Sequence, residues 1–254
     1  MGALLSGEST SWIGVIPVRL HSTRVPTKAL QRIGGLPLVA WCWRNACRVP
    51  QLQRVVVATD SDEIALVMQD EGAEVVRTGP HPSGTHRVAE AAMLGDLGQS
   101  GIVNLQGDLV DVDAASVMAA IEATEDADVG TVMVCGERCT GPEHVRVWHE
   151  SYIATDFTRT GSGQGAHVGV YAFRPGVLQQ AVQAVQTPRC REAQLEQLAW
   201  LDAGVRIGVR RVERAPMAID TIAQLKALRA RVNAGDLSVP APVETVVYAE
   251  TASR

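Results

Sequence analysis

Four short apolar runs, each followed by a stretch of helical spacing, constrain this chain more than any other feature. WIGVIP at 12–17, RVVVAT at 54–59, EVVR at 74–77 and GIVNL at 101–105 have the β-branched, aliphatic character of buried strands. Residues 38–49, 61–71, 83–95 and 113–125 carry apolar positions at helical spacing between and after them. Asp60 with Glu63 three residues later reads as a helix N-cap with a capping box. Such a β-α-β-α alternation implies an α/β fold: a mostly parallel, doubly wound sheet with helices on both faces.

The second half is less regular and predicts a smaller, mixed β segment. Strands are expected at 129–134, 168–173 and 205–209, with extended chain over 144–157. Helices are expected at 176–185, 192–202 and 221–232, the last stopped by Asn233, Ala234 and Gly235. TGSGQGA at 160–166 reads as a flexible loop. No linker separates independent units, so residues 1–254 are expected to form one domain, with halves at 1–125 and 126–232 and a tail at 233–254.

Composition excludes several function classes. Charged residues are 20% and hydrophobic residues 46%, so the chain can bury a core and is not disordered. A net charge of −5, with aromatics at only 4%, speaks against nucleic acid as a partner. No apolar run reaches membrane-spanning length and the first 15 residues lack a secretory pattern, so no membrane partner and a cytoplasmic location are expected. Cys135 and Cys139 have no second Cys or His pair at zinc-like spacing, and all five thiols are read as reduced and structural.

Ligands of open α/β sheets bind at the carboxyl ends of strands, so the segments after each strand are where chemistry is sought. After the first strand, Arg19, Ser22, Thr23, Arg24 and Lys28 put three cations and two hydroxyls in one loop. That loop can cradle a triphosphate or be a solvated basic turn. After the third, Ser83, Gly84, Thr85 and Arg87 can meet a ribose, base or phosphate, or cap the next helix. Asp108 follows Gln106 and Gly107 at the end of the fourth strand, where a carboxylate can hold Mg²⁺ or close a turn. Asp220 is either a second metal carboxylate or the N-cap of the last helix. No Gly-x-Gly-x-x-Gly follows the first strand, which argues against a dehydrogenase.

Taken together, IPVRLHSTRVPTKAL at 16–30, VVVATD at 55–60, SGTHRVAEA at 83–91, IVNLQGD at 102–108, HVGVYAFR at 167–174, LEQLAWL at 195–201 and IDTIAQL at 219–225 resemble the 3-deoxy-manno-octulosonate (KDO) cytidylyltransferases. The resemblance implies a Rossmann-like nucleotidyltransferase fold, CTP as substrate, Mg²⁺ as cofactor and a homodimer. It implies that Arg19, Ser22, Arg24 and Lys28 hold the CTP phosphates, and that Ser83, Gly84, Thr85, Arg87 and Gln106 contact the nucleotide. Asp108 and Asp220 would bind Mg²⁺, with Arg24, Lys28 and Asp108 as the catalytic group. Arg159, His167, Tyr171 and Gln197 would face the acceptor.

The chain departs from the family's pattern at Thr27, where glycine is usual, at Leu109-Val110, and at Ala193, where an acidic residue is usual. The altered positions beyond the nucleotide half bear on the acceptor. With Arg146, Arg159, Arg174, Arg189 and Arg191 on that side, the reading leans to a small anionic acceptor, a phosphonate such as phosphonoformate, as in a branch of the same family. The alternatives are KDO itself and a nucleotide-binding protein without catalysis.

Overall fold

The computed structural model describes residues 10–22, 24–135 and 144–243. Thr23 and Cys139 lie outside the described residues. One nine-stranded sheet runs through both halves of the chain. Its first part consists of β1 (Trp12–Val18), β4 (Leu52–Thr59), β5 (Glu74–Arg77) and β6 (Gly101–Leu105). These four are parallel, in the order β5-β4-β1-β6, as the alternation of apolar runs and helices requires. A small hairpin of β2 (Arg32–Ile33) and β3 (Leu36–Pro37) lies after the first loop.

Beyond β6 the sheet becomes mixed, and over more strands than the sequence suggests. β10 (Gly165–Phe173) is antiparallel to both β6 and β7 (Val129–Val134). β11 (Ile207–Val212) is parallel to β7, and the hairpin β8 (Arg146–Glu150) and β9 (Ile153–Thr158) forms the far edge. The extended chain expected over 144–157 is therefore two strands, turned by Ser151 and Tyr152 at φ of 48° and 65°. The 160–166 loop is shorter than expected because Gly165 and Ala166 already pair with Val147 and Arg146.

Helices cover both faces. α1 (Leu38–Ala46), α4 (Ala114–Glu122) and α8 (Ile222–Asn233) pack on one face, and α3 (Gly84–Leu94), α5 (Val177–Gln183) and α7 (Glu196–Asp202) on the other. α2 (Asp62–Asp70) lies between β4 and β5. Trp41 and Ile16 anchor the first core; Trp200, Phe173 and Phe157 anchor the second. Phe173 and Tyr171 meet Trp200 edge-on at 5.5 and 5.4 Å between ring centroids, the favoured aromatic geometry.

Two expectations about helix boundaries are corrected. Ser61, not Asp60, caps α2: its Oγ accepts from the Ile64 amide at 3.3 Å. Asp60 instead receives a hydrogen bond from the Arg87 guanidinium at 2.9 Å, because that buried cation needs a counter-charge. The helix expected over 192–202 is two helices, α6 (Pro188–Ala193) and α7, broken where Gln194 takes φ of 53°. The break turns Glu196 and Gln197 inward, towards the start of α3 and towards Tyr171.

α4 lies against β7 and β11 through two glycines. A methyl at Gly130 would run into the Ala120 carbonyl, and one at Gly208 into the Ala123 carbonyl. Backbone cannot retreat from such contacts as a side-chain tip can. Gly130→Ala is therefore expected to destabilise the fold by about 1 to 3 kcal/mol, read from the midpoint of urea unfolding at unchanged m-value. An unchanged midpoint would show that α4 is free to shift.

Candidate active site

The site lies at the carboxyl ends of β1 and β6, where an open α/β sheet presents its ligand crevice. Asp108 follows the end of β6, and Asp220 precedes α8 more than a hundred residues later. A short pairing joins them. Leu109 bridges Ala218, the Val110 amide donates to the Met217 carbonyl at 2.8 Å, and the Ile219 amide to the Asp108 carbonyl at 3.2 Å. Two carboxylates distant in sequence thus face one point.

That point is held by Lys28. Its Nζ lies 2.5 Å from Asp108 Oδ2 and 3.5 Å from Asp220 Oδ1. Arg24 adds a longer contact to Asp220 at 3.7 Å. Lys28 and Asp108 are about four-fifths shielded from solvent, so this pair is stronger than a surface ion pair. Asp220 is not the N-cap of α8. Thr221 accepts from the Gln224 amide, and Gln224 returns the bond in a full capping box. Gln224 Oε1 also accepts from the Asp220 amide at 2.8 Å, fixing the backbone and leaving the carboxylate to Lys28 and Arg24. Arg19 is exposed just past β1 and Ser22 is half-buried in the same loop. Gln106 is half-buried beside Asp108, with its carbonyl accepting from the Cys42 thiol. Burial, with the Asp108 charge second, pushes the Cys42 thiol far up, so it is a packing group here.

Two carboxylates on a partly shielded ledge suit Mg²⁺, which takes few protein oxygens and completes its shell with phosphate and water. No cluster of three or more His, Cys, Asp or Glu exists among the described residues, so an all-protein metal cage is not what this ledge provides.

A second group of polar side chains gathers on the other face. Ser83 caps α3 by accepting from the His86 amide. It also donates to Glu196 Oε2 at 3.0 Å, while Thr85 donates to Glu196 Oε1 at 2.5 Å. Burial raises the Glu196 carboxyl, and the two hydroxyls oppose that shift. Gln197 donates to the Tyr171 hydroxyl. Burial, and then the Glu196 charge, push the Tyr171 phenol up, while the Arg159 charge pulls it down. Gly84 packs on Pro17, where an added methyl would lie 3.3 Å from Cγ, and this brings the start of α3 against β1.

Thr131 fixes the state of His167. Its hydroxyl donates to the Val170 carbonyl at 2.8 Å, so the 3.0 Å contact with His167 Nε2 has the imidazole as donor. Nε2–H donation fits either charge state, and it is burial, by disfavouring the imidazolium, that leaves the ring neutral with Nδ1 as acceptor. Its ring is enclosed by Phe157 and Tyr171, with centroids at 5.4 and 5.2 Å, and burial lowers its pKa to about 3.

Arg87 stands apart from both groups. It is 4% exposed, and it donates to Thr78 Oγ1 at 2.6 Å, to the Gly79 carbonyl and to Asp60. This arrangement ties α3 to the ends of β4 and β5. The five acceptor-side arginines do not share one role. Arg189 pairs with Asp202 and Asp156, Arg191 donates to the Gln186 carbonyl, and Arg159 donates to the Ala193 carbonyl.

Reading the sequence missed Glu196 and Asn104. Glu196 was legible as a charge beside Gln197 in the LEQL run. Asn104 stands opposite Tyr171 on β6, and an Asn inside an otherwise aliphatic strand is the signal that was available. It is 1% exposed, and neither of its amide atoms has a partner, nor does Gln197 Oε1. Buried polar atoms without partners are costly, and their presence beside Tyr171 suits a polar ligand.

Comparison with known proteins places these residues in context. Residues 13–162 match the family model described as cytidylyltransferase. The chain is 36% identical over 233 residues to the 3-deoxy-manno-octulosonate cytidylyltransferase of Methylorubrum populi, covering 85% of this chain and 94% of that protein. It is 37% identical to the protein of the same name from Mesorhizobium japonicum, covering 85% and 96%. The solved structure of CMP:2-keto-3-deoxy-manno-octonic acid synthetase complexed with CTP superposes with a TM-score of 0.82 at 28% identity, covering 90% of this chain and all of that one. A cytidylyltransferase from Leptospira borgpetersenii shares the fold, with a TM-score of 0.63 at 18% identity over 92% of this chain and 91% of that one.

The state of His167 can be measured. The unfolded chain takes up its imidazole proton near 6.5 and the folded chain only near 3, so between these values the unfolded state holds the extra proton. The stability that His167 contributes is full above about 6.5 and is lost as pH falls towards about 3. His167→Gln is expected to flatten the acid limb of stability against pH, and imidazole ¹⁵N shifts should report a neutral ring through the range where a free histidine titrates. Parallel acid limbs would show that His167 titrates normally.

Proposed function

The chain belongs to the CMP-KDO synthetase family of cytidylyltransferases and is a CTP-dependent nucleotidyltransferase, and from that premise we propose that it joins CMP to a hydroxylated sugar acid of the KDO type. In this reaction an acceptor oxygen forms a bond to the α-phosphorus of CTP. The bond from that phosphorus to the bridging oxygen breaks, and pyrophosphate leaves with the electron pair. Little covalent work falls to the protein; positioning and charge neutralisation carry the step.

The residues divide that labour. Arg19, Ser22, Arg24 and Lys28 supply the donors for a triphosphate, and Lys28, beside Asp108, would offset the charge that develops on the phosphates. Asp108 and Asp220 would hold Mg²⁺, which supplies charge neutralisation and lowers the pKa of a bound oxygen. The start of α3, with Ser83, Gly84 and Thr85, supplies backbone donors and a favourable helix end for the nucleotide. Arg87 holds that helix end in place from behind. Gln106, beside Asp108, is the candidate for base contact.

The observation that carries the acceptor reading is the character of the second polar group. His167, Tyr171, Gln197, Glu196 and Asn104 offer hydroxyl, amide, imidazole and carboxylate functions, and Arg159 supplies a cation. That set is suited to a molecule with one acid group and several hydroxyls. The names of the relatives agree with it. The second reading, a small phosphonate such as phosphonoformate, draws on a different observation. Arg159 donates to the backbone carbonyl of Ala193, the position where the family's acidic residue is replaced, so a cation stands beside a site that has lost its anion.

Asp108→Asn is expected to lower turnover by at least about a thousandfold while leaving the fold intact, because it removes a charge that acts on the transition state. Excess EDTA should abolish activity, and Mg²⁺ should restore it. Near-normal pyrophosphate release by the variant would remove Asp108 from the reaction.

The acceptor is decided by competition. With equal KDO and phosphonoformate, CTP and Mg²⁺, the product is expected to be CMP-KDO, and ATP, GTP and UTP should be poor donors. A CMP-phosphonate as the main product would overturn the sugar-acid reading and leave cytidylyl transfer intact.

A further inference from the structure

Thr27 precedes Lys28 in a backbone conformation that its side chain disfavours. Its φ is 46° and ψ 41°, the left-handed region, where a β-branched residue is a genuine outlier and costs about 1 to 3 kcal/mol. Such strain persists only where the surroundings over-determine it. Here the surroundings come from both ends of the chain. Gln31 folds back so that its Nε2 donates to the Pro26 carbonyl at 3.0 Å and approaches Thr27 Oγ1 at 3.5 Å. Its Oε1 accepts from Arg229 Nη2 on α8 at 3.0 Å, and Arg229 Nε donates to the Arg32 carbonyl at 3.0 Å. The strained turn is closed by the Leu30 amide donating to the Thr27 carbonyl at 2.9 Å.

We propose that Gln31 and Arg229 are positioning residues: a two-part brace that locks the Thr27 turn and so presents Lys28 to the CTP phosphates in register with Asp220. The logic is one of linked elements. Asp220 immediately precedes Thr221, the N-cap of α8, and Arg229 lies two turns further along that helix. The same rigid rod therefore carries the carboxylate and the anchor of the loop that supplies its lysine. Gln31 is the adapter, using its amide hydrogen towards the turn and its amide oxygen towards the helix. An amide held between the Pro26 carbonyl, the Thr27 hydroxyl and a guanidinium is partly shielded, so its geometry is specific rather than loosely electrostatic. A loop set before the nucleotide arrives spends less binding energy on ordering itself, and this is where the brace acts.

The proposal rests on the assignment of the first loop to the CTP phosphates, and the experiment separates the two. Gln31→Ala and Arg229→Ala should each raise KM for CTP by about five- to tenfold, with kcat kept within about twofold. Hydrogen exchange over residues 24–33 should quicken in both variants without CTP present, because the Leu30 and Gln31 amides lose their fixed acceptors. Gln31→Glu keeps the bond to Arg229 and loses the donor to Pro26, so it should behave as Gln31→Ala if the turn is what is braced. Thr27→Gly relieves the strain, and in that background Gln31→Ala should lose most of its effect on KM, a non-additivity that an unconnected structural role does not give. Unchanged loop exchange, or additive effects of the Thr27 and Gln31 changes, would overturn the brace. Lys28→Ala is the control: CTP binding unaffected by it would overturn the phosphate assignment itself, whatever the brace does.

Discussion

The ammonium of Lys28 between Asp108 and Asp220 is the contact on which the site depends. Each carboxylate comes from a different half of the sheet, and two like charges brought together repel unless something lies between them. The lysine supplies that charge from the loop after β1. Its position in turn requires that the loop, the end of β6 and the start of α8 meet at one place. The pairing of 108–110 with 217–219 does this with backbone alone, so the convergence does not depend on the side chains it serves.

The rest of the structure is arranged around keeping that meeting point still. α1 and α8 pack on one face of the sheet behind it, with Trp41 and Leu228 fully buried. On the other face, the buried guanidinium of Arg87 fixes α3 to the ends of two strands, so that the helix start faces the crevice. The break at Gln194 then brings Glu196 onto Ser83 and Thr85, joining α7 to the start of α3 through two hydroxyl hydrogen bonds. The amide atoms of Asn104 and the Gln197 carbonyl oxygen are left unpartnered beside Tyr171, where a polar ligand would satisfy them.

The acceptor side also shows how a charge count can mislead. Five arginines in the second half suggest a strongly cationic pocket when read along the chain. Folded, two of them are committed to local partners, Asp202 with Asp156 for Arg189 and the Gln186 carbonyl for Arg191. A guanidinium with a carboxylate already in place contributes little field elsewhere. Near Tyr171, the Arg159 charge and the Glu196 carboxyl act on the phenol in opposite directions, among neutral donors and acceptors.

The sequence by itself determined the parallel half of the sheet, because an apolar run of strand length followed by a helical period admits few other packings. It also singled out the loop after β1, the start of α3 and Asp108 as candidate ligand-binding segments, since each follows a strand directly and strand ends are where such folds bind ligands. It could not distinguish Asp220 as a cap from Asp220 as a carboxylate facing Lys28, because both roles look alike at the start of a helix; only the capping box of Thr221 and Gln224 decided it. Nor could it place Gln31 against Arg229 or Glu196 against Ser83, since these pairs are separated by 198 and 113 residues. Local pattern reports what a residue does within its own turn or strand. Which distant side chain it meets is set by how the sheet and its helices pack, and that information exists only in the folded chain.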